Sequence, residues 1–172
     1  MDGMRRGFAL LITLASCSVP AKDARFSGSR PDEASFPEVA QVLVRHCGTL
    51  DCHGSSARNL RLYGSEGLRL LPDDRPQTPG CTSADEFAQD YASVVGLEPE
   101  VLSAVVADGG ARPERLTIVR KARGTEDHKG GAPLPQGDAG DRCLTSWLAD
   151  QTDMDACLSA LQPSAARCFD TP

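Results

Sequence analysis

Two cysteines and a histidine stand close together in RHCGTLDCHG, residues 45–54, and constrain the fold more than any other feature of the sequence. Cys47 and Cys52 are five residues apart, and His53 follows Cys52 directly. On a continuous helix the two thiols would point about 140° apart, because each residue turns the chain by about 100°. We therefore predict that a helix ends near Gly48 and that the chain then loops outward.

Three kinds of site are compatible with this segment. Covalent haem attachment needs two thiols for the vinyl groups of one porphyrin edge and an adjacent histidine for the iron, and its short form is C-x-x-C-H. This chain has the longer form C-x-x-x-x-C-H. The alternatives are a Cys47–Cys52 disulfide with His53 as a bystander, and a zinc site in which a residue such as His128 is the fourth ligand.

The motif resembles a c-type cytochrome attachment site in its rarer four-residue-spacer version. The wider chain is similar to the cytochrome c domains of planctomycete type, over roughly residues 35–150. The matching features are a Phe-Pro helix that leads into the motif, LRL shortly after it, a loop that contains KGGAP, and an LTSWL helix near the end. The resemblance implies an all-helical fold around haem and a function in electron transfer.

The resemblance also implies roles for individual residues. Cys47 and Cys52 would hold haem c through thioethers, and His53 would be the proximal iron ligand. For the second axial position, His128 is the leading candidate, because it lies in a Gly-rich loop that can fold over the distal face. Met154 is the weaker candidate, since it fits the inward stripe of the last helix. Histidine ligation favours a low reduction potential and methionine a higher one.

The N-terminus, MDGMRRGFALLITLASC, is typical of a bacterial export signal. Arg5 and Arg6 precede a short apolar stretch, residues 8–15. The end of the segment resembles the lipobox of bacterial lipoproteins, in which the peptide is cut before a cysteine that then receives acyl chains. The resemblance implies lipidation at Cys17, and several acyl chains hold a protein at a bilayer far better than one. The alternative is an ordinary secretory signal in which Cys17 is incidental.

These features divide the chain into a signal peptide (1–16), a flexible tether (17–34) and a cytochrome c-like domain (35–172). We expect the protein in the bacterial cell envelope, attached to a membrane by its lipid and facing the periplasm or the outer membrane. The formal net charge of −6 repels phosphate, so we expect no nucleic-acid partner. The expected partner is a redox protein, whose identity the sequence does not indicate.

Cysteines in an exported protein are usually paired. If Cys17 is lipidated and the motif binds haem, then Cys81, Cys143, Cys157 and Cys168 are left to form two disulfides. We favour Cys143 with Cys157 or Cys81, and a Cys168 bridge that holds the tail. In the alternative function, the two motif cysteines pair as well, and the chain is a non-haem structural or interaction lipoprotein with three disulfides.

Helical periodicity predicts a small all-α domain with long loops, stabilised by disulfides. We predict capping boxes at the starts of two helices, Ser35 with Glu38 and Ser83 with Glu86. The last helix should turn four residues inward, namely Met154, Cys157, Leu158 and Leu161.

Two segments are less regular. Residues 59–71 alternate apolar and polar residues, which fits either a small hairpin or irregular loops, and residues 123–140 form a long polar loop rich in Gly and Pro. The adjacent acids Glu126-Asp127 and Asp73-Asp74 are typical of solvated loops, and no nucleophile elbow accompanies the histidines. We therefore predict an electron carrier and not an enzyme.

Overall fold

The computed structural model describes residues 27–70 and 81–161, and within these ranges the chain is helical without strands. A short 3-10 helix spans Pro113–Arg115. No helix in the two ranges is both long enough and apolar enough to cross a membrane. The helices are α1 (Phe36–Cys47), α2 (Ala84–Val95), α3 (Pro99–Ala107), α4 (Thr117–Arg123), α5 (Ala139–Leu148) and α6 (Met154–Leu161).

This architecture confirms the predicted all-α class and the long loop between α4 and α5. Of the two possibilities for residues 59–71, the irregular one is found over the described part, because Tyr63 and Leu68 form only an isolated bridge. The likeness to a cytochrome c fold is not shown by the helix content, since many small domains are helical.

Three aromatic rings from α1, α2 and α5 meet at the centre of the core. Phe36 lies 4.9 Å from Trp147 and 5.4 Å from Tyr91 between ring centroids. All three side chains are buried. Further apolar residues of α1 and α5 are buried around this cluster: Val39, Leu43, Cys143, Leu144 and Leu148.

The two predicted helix caps have different outcomes. The capping box is present at α2, where the Ser83 hydroxyl accepts from the Glu86 backbone N–H and the Glu86 side chain accepts from that of Ser83. At α1 the predicted box is wrong, because Ser35 makes no side-chain cap. Its hydroxyl instead pairs with that of Thr152 at 2.9 Å, while the Asp32 carboxylate accepts from the backbone N–H groups of residues 34 and 35.

The last part of the predicted tether packs against the domain. The Tyr91 hydroxyl donates to the carbonyl of Pro31 at 3.0 Å, and the indole N–H of Trp147 donates to that of Asp32 at 2.8 Å. Pro31 is buried. The packed chain therefore begins before residue 35, earlier than we predicted. The predicted signal peptide, Cys17 and the first part of the tether lie outside the described residues.

A disulfide joins Cys143 of α5 to Cys157 of α6, which is one of the two pairings that we favoured for Cys143. Cys81 is disulfide-bonded as well, and Cys168 lies outside the described residues. The predicted inward face of α6 is wrong in part, because Met154 is 40% exposed and Leu158 is 41% exposed. Cys157 is buried as predicted, together with the adjacent Ala156. The disulfide to Cys143 directs this narrower face of the helix towards α5.

Helix α2 buries two carboxylates, those of Glu86 and Asp90. Glu86 pairs with the Arg69 guanidinium at 2.8 Å, whereas Asp90 accepts a hydrogen bond from the backbone N–H of Tyr63 at 2.7 Å through Oδ1. The other oxygen of Asp90, Oδ2, is buried and has no hydrogen-bond partner among the described residues. Burial raises the pKa of Asp90 to about 8, the Tyr63 hydrogen bond opposes the rise, and the charge of Glu86 adds to it.

We expect the Asp90 carboxyl to make stability depend on pH. Between about pH 4 and pH 8 it is protonated in the folded chain and ionised in the unfolded chain, so raising the pH favours unfolding, by at most about 1.4 kcal/mol per pH unit. In Asp90→Asn this contribution is absent. Urea unfolding of both proteins across this range should show the variant gaining stability relative to wild type as the pH rises. A constant difference between them would contradict the prediction.

The α5–α6 disulfide closes a loop with a sequence separation of 14 residues. Replacing both Cys143 and Cys157 with Ala should lower the free energy of unfolding by about 3 kcal/mol, because the unfolded chain is no longer constrained. Urea unfolding measures this loss, and Cys52→Ala, which removes a free thiol, is the control. Equal losses in the two variants would show that the cross-link contributes nothing.

Candidate functional site

A cavity of about 540 Å³ lies beside the segment CGTLDCHG. Its walls include the end of α1, the loop from residue 48 to residue 53 (the motif loop), α4 and the loop that follows α4. This volume is typical of cavities that hold a small molecule or cofactor. The cavity brings together four of the residues that the sequence singled out, namely Cys47, Cys52, His53 and His128.

The end of α1 determines how the motif folds. The helix ends at Cys47, and the chain turns back at once, so that the backbone N–H of His53 donates to the carbonyl of Cys47 at 2.9 Å. A Cβ on Gly54 would collide with the carbonyl oxygen of Gly48, so only glycine fits where the two backbones cross. Arg58 donates to the carbonyls of Cys52 and residue 51, both at 3.3 Å. The predicted exit from the helix is confirmed.

Both motif cysteines are free thiols, so the alternative Cys47–Cys52 disulfide is not formed. Burial raises the pKa of the Cys47 thiol to about 12, and the charge of Cys52 adds to this rise. At neutral pH Cys47 is therefore protonated.

His53 is half-buried, and its ring nitrogen Nδ1 lies 3.1 Å from the carbonyl oxygen of Leu60. Burial lowers the pKa of the imidazole; the Leu60 contact opposes the shift, and the charges of His128, Arg58 and Lys121 add to it. At pH 7 the ring is therefore neutral, and because a carbonyl only accepts, we assign the proton to Nδ1. The lone pair of Nε2 is then available to bind a metal, which is how second contacts commonly orient a ligating histidine.

His128 lies in the loop between α4 and α5 and lines the same cavity as His53. Its Nδ1 is buried and has no hydrogen-bond partner in the described part of the protein. A buried polar atom without a partner costs about 1–3 kcal/mol, so this arrangement favours a group that would occupy the nitrogen.

Two further residues, Met154 and His46, differ in their relation to the cavity. Met154, the weaker distal candidate, is largely exposed at the start of α6 and is not among the residues that line the cavity. His46 lines it, but its Nε2 lies 3.1 Å from the carbonyl of Ala160.

Sequence reasoning missed three cations in the lining, whose only signal was the basic character of the segments around the histidines: Arg58, Lys121 and Lys129.

In the described ranges, no three His, Cys, Asp or Glu side chains are grouped so as to hold a metal ion. Haem iron needs only two protein ligands, so this finding does not bear on haem.

No protein-family model matches the chain, and searches of curated proteins and of solved structures found no similar protein. The resemblance to planctomycete-type cytochrome c domains therefore stays a prediction from the motif.

The thiol of Cys47 should react slowly with alkylating reagents in the folded, haem-free protein. A pKa of about 12 lowers the thiolate fraction roughly a thousandfold relative to an ordinary thiol. Brief exposure to iodoacetamide at pH 8, followed by peptide mass spectrometry, should label Cys47 rapidly only in urea. Rapid labelling of Cys47 in the folded chain would contradict its burial, and recovery of a Cys47–Cys52 disulfide peptide would contradict the free-thiol state.

Proposed function

We propose that the chain is a membrane-anchored, single-haem c-type cytochrome that transfers electrons outside the cytoplasm. In this proposal Cys47 and Cys52 form thioethers with haem and His53 binds the iron. The observation that carries the proposal is the meeting of two free thiols and a neutral imidazole in one cavity large enough for a cofactor. A bound haem would supply an iron that cycles between Fe(III) and Fe(II).

The state of the thiols suits covalent attachment. A thiol adds its S–H across a vinyl double bond, with sulfur bonding to one carbon and hydrogen to the other, so no external oxidant is required. A disulfide cannot do this until it is reduced. Cys47 and Cys52 are both unpaired, and the hydrogen bonds of the motif loop hold them beside the cavity.

The rest of the lining is compatible with haem in polarity and charge. Apolar side chains such as Leu43, Leu60 and Ile118 line part of the wall, which suits the porphyrin face. Arg58 and Lys121 also line it, which suits the negative propionate groups that haem carries. The lining also includes the acidic residues Asp51 and Glu98, so the cations outnumber the carboxylates by one, in a chain of formal net charge −6.

We assign the second axial position to His128 in preference to Met154. His128 lines the cavity and has a buried nitrogen with no partner within residues 27–70 and 81–161, whereas Met154 lies outside the lining. Two histidine ligands favour a low reduction potential.

The membrane attachment in this proposal rests on Cys17, which lies outside the described residues. Cys17→Ser should abolish incorporation of radiolabelled palmitate and release the protein from membranes of an expressing bacterium. If the variant incorporates as much label as wild type, the lipid anchor is wrong, whatever the outcome for haem.

Haem attachment is tested by expressing the chain with cytochrome c maturation machinery. We expect sharp reduced absorption bands and a mass increase of one haem that survives acid–acetone extraction. His53→Ala should lose the sharp bands, because the iron loses its proximal ligand. His46→Ala is the matched control: this histidine lines the same cavity but contacts the Ala160 carbonyl. A colourless wild-type protein of unchanged mass would contradict the proposal and favour a non-haem structural or interaction lipoprotein.

The distal assignment predicts a separate change in the loaded protein. His128→Ala should convert low-spin iron to high-spin iron, seen by absorption and electron paramagnetic resonance, because the sixth position loses its ligand. Met154→Ala should leave the spectrum unchanged. The reverse pattern would identify methionine as the ligand.

A further inference from the structure

The imidazole of His128 lies against the backbone of Gly130, two residues further along the chain. A Cβ placed on Gly130 would come within 2.7 Å of Nε2, 3.3 Å of Cδ2 and 3.5 Å of Cε1 of that ring. Real Cβ atoms essentially never approach another atom as closely as the first of these distances. The ring therefore occupies space that only a glycine at position 130 leaves open.

The backbone itself does not require glycine at this position. Gly130 does not have a positive φ. Its neighbour Gly131 has a φ of 66° and donates its N–H to the carbonyl of His128 at 3.2 Å. A Cβ on Gly131 would meet nothing within 4 Å. The two adjacent glycines thus differ in kind: Gly131 permits the left-handed turn, and Gly130 makes room for the ring.

We infer that Gly130 is a positioning residue, whose lack of a side chain keeps the His128 imidazole on the cavity wall. The inference rests on the proposed function only for its consequence, which is ligation of the iron by His128. An added methyl group would push the ring away without unfolding the domain, because the imidazole is the end of a flexible side chain in an exposed loop. The ring would have to shift away from position 130, because a separation below 3.0 Å cannot be kept.

The position of the ring is measured first in the haem-free protein. Gly130→Ala should shift the ring resonances of His128 in NMR spectra and leave those of His46 and His53 in place. Gly137→Ala is the matched control, because it strains a positive φ of 83° in the same loop while its Cβ meets nothing within 4 Å. Unchanged His128 resonances in Gly130→Ala, or equal shifts in both glycine variants, would overturn the inference.

In the haem-loaded protein, Gly130→Ala should lose most of the low-spin signal, as His128→Ala does. The double variant should show no further loss, because the glycine acts only through the histidine. If Gly130→Ala fails to fold, the inference requires His128→Ala to restore folding, and failure of that rescue would refute it. Absence of haem from wild type would defeat the proposed function, yet the haem-free spectra would still decide the role of Gly130.

Discussion

The return of the chain onto the end of α1 is the interaction on which the site depends. When the His53 N–H donates to the Cys47 carbonyl, the four residues between the cysteines are closed into a compact loop. Without this bond, a five-residue separation would leave two thiols on different sides of a helix. The crossing of Gly48 and Gly54 allows the closure, and Arg58 holds the outer side of the loop through two carbonyls.

The electrostatics of the cavity complement this geometry. Cys47 and His53 are neutral at physiological pH because burial raises the pKa of the thiol and lowers that of the imidazole. The remaining charge of the lining includes three cations that the folding of distant segments brings together: Arg58, Lys121 and Lys129. Neutral donors beside three cations and the acidic residues Asp51 and Glu98 are compatible with the cofactor of the proposed function.

Local sequence signals predicted the helices well, because the burial of Phe36, Leu43 and Trp147 follows a helical period. They failed where a distant partner decided the outcome. Ser35 has the sequence of a cap, but Asp32 satisfies the amides near that helix start and Thr152 takes the hydroxyl. Asp90 is a polar residue on an amphipathic helix, yet it is buried because the Tyr63 amide needs an acceptor.

The candidate site divides in the same way. The motif singled out both thiols and His53, and the Gly-rich loop singled out His128; all four line one cavity. The cations in the wall were not predicted, because they come from segments far apart in the sequence. The contact of Gly130 with the imidazole was equally hidden, since a Gly-Gly pair in a loop ordinarily indicates only a turn.

The hydrogen bonds that fasten Pro31 and Asp32 to Tyr91 and Trp147 have a mechanical consequence. They lie near the start of α1, whereas Cys47 ends that helix; a helix of this length is a rod of about 18 Å. A force applied through the N-terminus would therefore load the aromatic cluster and not the motif loop. In the proposed lipid-anchored molecule, tension from the N-terminal side would reach the domain at Pro31 and Asp32, about one helix length from Cys47.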